Sequence, residues 1–273
     1  MIFVSQSDRI LKTIGGILRR DSFRQVAVII ATLITLTVNI LANAIPINGL
    51  TTGAISDQFK VYFIPAGYVF SIWGLIYLAL IGYTIYQALP SKREDATLRS
   101  IGGWYIASCL ANSAWIFLWH YQLFLLSLVV MVLLLVSLLV VYVRLNVGLE
   151  KTSIGMRVLV NLPFSIYLSW VTVATIANFT DVLDYYKFSI LGANEKTWAV
   201  IMIVVALIVG EMIAFNRRDL VFLGVQVWAF IGIAVKNTGV STVYEAALAA
   251  SVIVMVIIVP TSIYKIKKFR QRS

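Results

Sequence analysis

Eight apolar runs constrain this chain more than any other feature. They fall at about residues 25–45, 66–88, 102–119, 122–143, 158–180, 198–215, 219–235 and 242–264, and each is near the roughly 20 residues that an α-helix needs to cross a bilayer. In a chain of 273 residues, 60% hydrophobic and 12% charged, that leaves no room for a soluble fold. The expected class is an all-α polytopic membrane protein with the lipid bilayer as its solvent.

Lys and Arg test the count independently, because they gather in alternate connections on the cytoplasmic side. Arg9, Lys12, Arg19, Arg20 and Arg24 precede the first run, and Lys92, Arg93 and Arg99 follow the second. Arg144, Lys151 and Arg157 follow the fourth, Arg217 and Arg218 the sixth, and Lys265, Lys267, Lys268, Arg270 and Arg272 lie in or beyond the end of the eighth. The other side receives Lys60, Lys187, Lys196 and Lys236. A missed or invented span would invert the bias downstream of the error. The expectation is therefore eight spans with both termini cytoplasmic in a multi-pass protein of the cell membrane. The third and seventh runs are short and carry Gly102, Gly103, Asn112 and Ser113, or Gly224, Gln226 and Gly232, so they are the weakest members of the set.

Several function classes drop out on composition. The net charge of +10 reads as topology signal beside anionic headgroups, not as a nucleic-acid footprint. Cys109 and His120 are each the sole residue of their type, so neither an intramolecular disulfide nor a Cys/His metal site is expected. No basic residue sits mid-span, and the acids Glu211 and Glu245 lie near expected helix ends, where Glu211 is expected to pair with Arg217 or Arg218. That argues against an ion-coupled carrier. With no acid, base or metal gathered in one motif, catalysis is not expected. A retinal-type photoreceptor would need an intramembrane lysine, and Lys236 stands at a helix end. Over residues 1–23, Ile10, Leu11, Ile14, Ile17 and Leu18 oppose Arg9, Lys12, Arg19 and Arg20, the pattern of an interfacial amphipathic helix.

Three spans carry aromatic stripes at helical spacing. In the second, Pro65 is expected to open the helix, and Phe70, Trp73 and Tyr77 share one face. In the third, Asn112, Trp115 and Trp119 repeat the spacing, and an amide in hydrocarbon needs a partner on another helix or on a ligand. In the fifth, Tyr167, Trp170, Ala174 and Asn178 form a stripe in which small Ala174 either lets helices approach or leaves space. One stripe alone reads as packing. Three together admit a flat apolar pocket.

The run Pro65–Tyr77, PAGYVFSIWGLIY, resembles the proline-then-VW-x-x-LY signature of the TspO/MBR family of tryptophan-rich sensory proteins, also called translocator or peripheral benzodiazepine receptor proteins. Leu110–Trp115, LANSAW, resembles that family's LALN-x-x-W segment. Tyr167–Trp170, YLSW, with Ala174 and Asn178, is similar to PYLAW followed by A-x-x-LN. The resemblance covers residues 24–187 and implies a five-helix bundle there, followed by a three-helix C-terminal extension over 188–273.

It further implies a ligand site for a small apolar aromatic molecule, such as a porphyrin or a sterol, lined by Pro65, Phe70, Trp73, Tyr77, Asn112, Trp115, Tyr167, Trp170, Ala174 and Asn178. A homodimer is implied as well, with no required cofactor beyond a tetrapyrrole ligand. In the family, the tryptophans matching Trp73 and Trp170 are associated with the porphyrin and, in some bacterial members, with its light-dependent breakdown. Two departures stand out. Ile64 and Pro65 replace a double proline, and the proline of the fifth-span motif is displaced to Pro163, with Ile166 in its usual place. The alternatives are a small-molecule transporter and a membrane enzyme acting on pigment or isoprenoid.

Overall fold

A computed structural model describes residues 6–188 and 194–270, with side-chain environments for 21–188 and 194–260. Helix dominates, and no strand occurs among the described residues. Eight long helices carry the architecture: α1 (Gln6–Ala44), α2 (Ile72–Ala88), α3 (Ala96–His120), α4 (Phe124–Arg144), α5 (Leu162–Tyr185), α6 (Glu195–Arg217), α7 (Leu220–Lys236) and α8 (Ser241–Arg270). The apolar runs thus form helices at the expected places. Seven of these regions are long and apolar enough to cross a membrane, whereas α7 has 17 residues, about 26 Å at 1.5 Å per residue.

Start and stop signals set the boundaries. Asp95 caps α3 through the amides of Thr97 and Leu98, Asn194 caps α6 through Thr197, and Asp219 caps α7 through Val221 and Phe222. Arg218 alone, in the left-handed region at φ 52°, separates α6 from that cap. α3, a weak member in sequence for its short run with Gly102, Gly103, Asn112 and Ser113, runs unbroken for 25 residues. A β-carbon on Gly102 would meet Arg24 Cδ at 2.9 Å, so the glycine makes room for α1. α1 continues without a break from Gln6, and the side chains of the amphipathic face expected at 10–20 lie outside the described residues, as do those of the basic C-terminal tail.

α1 to α5 close into a ring in the order α1, α2, α5, α4, α3. The extension is a three-helix unit whose α7 packs on α5 from outside the ring. The Ser169 hydroxyl of α5 donates to the Phe222 carbonyl of α7 at 2.8 Å. α5 is consequently the central helix, 72% buried along its most apolar window against 28–50% for the other six candidate spans.

Two irregular turns lead into the site-bearing helices. A 3₁₀ turn over Gly67–Ser71 precedes α2, so Pro65 lies one residue before the cap residue Ala66 and does not open the helix. Its neighbour explains the delay: the Ala66 amide donates to the Gly232 carbonyl of α7 at 3.0 Å, which holds the chain extended there. Before α5, a π-turn spans Arg157–Asn161, with the Leu162 amide reaching back to the Arg157 carbonyl. The wider turn accommodates Pro163, which has no amide hydrogen to offer the preceding turn.

Candidate functional site

The site is assembled on the inner faces of the ring, and its first part is a chain of neutral hydrogen bonds through four helices. The Tyr77 hydroxyl of α2 donates to Asn39 Oδ1 of α1 at 2.7 Å. Asn39 Nδ2 donates to Asn112 Oδ1 of α3 at 2.6 Å. Asn112 Nδ2 then donates to the Tyr167 hydroxyl of α5 at 3.0 Å. Asn112 is fully buried, so these bonds meet the demand that an amide makes in hydrocarbon.

A second hub sits nearer the C-terminal ends of α3 and α5. Trp115 Nε1 donates to Asn178 Oδ1 at 3.1 Å, and Ser127 of α4 lies 3.3 Å from the same amide. Between them the two hubs tie all five ring helices together. Trp115 also stacks on Trp119, with centroids 5.6 Å apart.

Aromatic rings fill the space between α2 and α5. Trp73 stacks on Tyr77 at 5.6 Å and meets Tyr167 and Trp170 edge-on at 6.1 and 6.2 Å. Phe70 meets Trp170 edge-on at 5.7 Å. Phe70, Trp73, Tyr77 and Ala174 are half-buried, while Tyr167 and Trp170 are buried. Trp170 is 2% exposed, and its indole N–H has no hydrogen-bond partner. A buried indole normally finds an acceptor, so this donor stands out as unsatisfied in the middle of the cluster.

Most of the residues singled out in sequence therefore converge: Phe70, Trp73, Tyr77, Asn112, Tyr167 and Trp170 on one cluster, with Trp115 and Asn178 on the adjoining hub. Pro65 stands apart. It is buried against α7, where its Cβ lies 3.1 Å from the point a β-carbon on Gly232 would occupy. Two cavities of about 570 and 460 Å³ lie elsewhere, one beside Tyr62, Asp184 and Trp198 and one beside Asn161 and Asp219, and neither includes a residue of the aromatic cluster. The rings are packed on one another.

Sequence reading missed Asn39, although a signal was available. Gln25, Thr32, Thr35 and Asn39 recur at spacings of three, four and seven in an otherwise apolar helix, and each bonds inward: Gln25 to the Gln87 carbonyl, Thr32 to Thr84 and Tyr105, Thr35 to the Cys109 carbonyl. It also missed Asp181, which is buried in the last turn of α5 with Oδ1 unpartnered, because the expected span stopped at 180. The pairing expected for Glu211 is corrected too, since neither of its carboxylate oxygens has a hydrogen-bond partner; Arg217 instead lies over the Tyr142 ring at 5.9 Å.

His120 is held by the connection between α1 and α2, with Nδ1 3.0 Å from the Ile47 carbonyl and Nε2 3.0 Å from the Thr52 hydroxyl. Trp119 Nε1 donates to the Thr52 carbonyl at 3.2 Å. Residues 45–62 thus cover the C-terminal end of α3 and the N-terminal end of α4. Lys236 pairs with Asp57 at 3.7 Å, engaged at the helix end where sequence placed it.

Residues 25–260 match the model of a family described as TSPO-like protein. The matched stretch runs past Lys187 through α6 and α7 and into α8. No curated protein and no solved structure matches the chain.

Proposed function

Because this integral, multi-pass membrane protein belongs to the TSPO-like protein family, we propose that it binds a planar apolar molecule, a porphyrin or a sterol- or isoprenoid-like compound, between α2 and α5 as a sensory protein of the cell membrane. The observation that carries this reading is the Trp170 indole N–H, buried without an acceptor among Phe70, Trp73 and Tyr167. A ligand with a carbonyl, carboxylate or ring nitrogen would satisfy it, and half-buried Trp73 would yield toward the membrane to admit a flat ring. Ala174, one turn beyond Trp170, is the smallest side chain of the stripe, so a guest there would displace less than it would elsewhere along the helix. The hubs consist of amides, hydroxyls, phenols and the Trp115 indole, so the reading is binding rather than turnover. Titration of the purified protein with protoporphyrin should quench tryptophan fluorescence saturably, and Trp73→Phe and Trp170→Phe should each weaken the apparent affinity. Undiminished affinity in the double variant would overturn the proposal.

One observation favours transport as a second reading: Glu211, within α6, has a carboxylate without a hydrogen-bond partner, and intramembrane acids commonly couple ion movement. Uptake into vesicles that collapses with the ion gradient and with Glu211→Gln would support it; uptake indifferent to both would dismiss it.

A further inference from the structure

A cavity of about 460 Å³ lies between the α4–α5 connection and the turn from α6 to α7, lined in part by Leu149, Lys151, Arg157, Val158, Asn161 and Ser165. It is separate from the aromatic cluster and opens at the end of the bundle that the basic residues assign to the cytoplasm. Asn161 is 9% exposed, and its Oδ1 has no hydrogen-bond partner. It is the last residue of the π-turn before α5, a deformation that recurs at functional sites. A buried acceptor of this kind is costly unless a donor reaches it.

Charge around the cavity is unevenly engaged. The two acids that line it have partners: Glu150 accepts from Asn146 Nδ2 at 2.8 Å, and Asp219 accepts from the Val221 and Phe222 amides and the Tyr142 hydroxyl. Lys151 and Arg157 are exposed at the rim and have no ion-pair partner among the described residues. An occupant therefore meets two cations without an ion-pair partner, two carboxylates whose hydrogen-bonding oxygens are already engaged by neutral donors, a buried acceptor and an apolar flank in which Leu149 is 55% and Val158 46% exposed.

We propose that this cavity binds the headgroup of an anionic phospholipid that carries a free hydroxyl, with the phosphate at Arg157 and Lys151, the hydroxyl donating to Asn161 Oδ1, and an acyl chain covering Val158 and Leu149. A soluble phosphate ester would satisfy the cations and the amide but would leave the apolar flank in water. The cavity joins the five-helix ring to the extension, because Asp219, Leu220 and Val221 form its far wall. A bound lipid would bridge the two.

Native mass spectrometry of the full chain in detergent tests this with added phosphatidylglycerol, phosphatidic acid and phosphatidylcholine. Phosphatidylglycerol should be retained over phosphatidylcholine. The double variant Lys151→Gln, Arg157→Gln should lose most of that preference, at about fivefold per cation removed. Both residues are exposed, so this variant keeps its fold. Asn161→Ala should reduce phosphatidylglycerol to the level of fully ionised phosphatidic acid, compared above about pH 8, which lacks the headgroup glycerol and its alcohols, while leaving phosphatidic acid binding unchanged. Equal retention of phosphatidylglycerol and phosphatidylcholine, or an unchanged preference in the double variant, would overturn the site. Displacement of phosphatidylglycerol by an equal concentration of glycerol 3-phosphate would overturn the lipid assignment in favour of a soluble phosphate ester.

Discussion

Asn39 accepts from Tyr77 and donates to Asn112, so one amide in α1 positions a phenol of α2 and an amide of α3. Replacing it with leucine leaves both partners without water to turn to. Asn39→Leu is expected to destabilise the fold by about 1–3 kcal/mol, read as a lowered thermal unfolding midpoint in detergent. Trp115 and Trp170, both buried, make a sharper pair. Trp115→Phe abandons a hydrogen bond to Asn178, whereas Trp170→Phe abandons none. Thermal unfolding should therefore place Trp115→Phe below Trp170→Phe by about 1 kcal/mol, while porphyrin binding should suffer more from Trp170→Phe. Sequence motifs identified both tryptophans but could not separate them, because the difference lies in whether a partner 63 positions away points at the nitrogen.

At the scale of elements, apolar length and alternating charge were enough to locate the helices, since both act locally along the chain. Neighbour relations were not legible in that way. α4 is an almost uninterrupted Leu and Val run, and α5 is punctuated by Ser165, Ser169, Thr172, Asn178 and Thr180, yet α5 is the more buried of the two. In a bilayer the lipid is as apolar as leucine, so small and polar side chains mark the helix that other helices surround. The junction of α7 with the turn before α2 is equally hidden from sequence. Trp228 Nε1 donates to the Val69 carbonyl at 3.2 Å, Asn237 Nδ2 to the Tyr62 carbonyl at 2.9 Å, and a β-carbon on Gly232 would lie 2.2 Å from Val69 Cγ2. Gly232→Val should push the 61–71 segment off α7, costing about 1–3 kcal/mol by overpacking and exposing that segment to limited proteolysis.

For the whole molecule, the expected division at residue 187 meets a structure in which α5 is enclosed on both sides. A fragment ending at Lys187 would expose to lipid the face of α5 that now lies under α7, including the Ser169 hydroxyl. It is expected to accumulate poorly and to unfold below the full chain, measurable by fluorescence-detected size exclusion after heating. Span count is testable at the same scale. With α7 crossing the bilayer, a fluorescent protein fused to either terminus should glow on the cytoplasmic side; a periplasmic or luminal reporter active at the C-terminus alone would mean that one helix does not cross. The contacts of α7 carry one more consequence. It grips α5 through Phe222 and the lead-in to α2 through Gly232, and these are the two walls that face each other across Trp73 and Trp170. α7 is thus a spacer that sets how far the walls stand apart, so under the proposed binding function the size of guest admitted would be set by a helix that contains none of the three aromatic segments. Chains sharing the three aromatic segments but differing in that helix should accept guests of different girth.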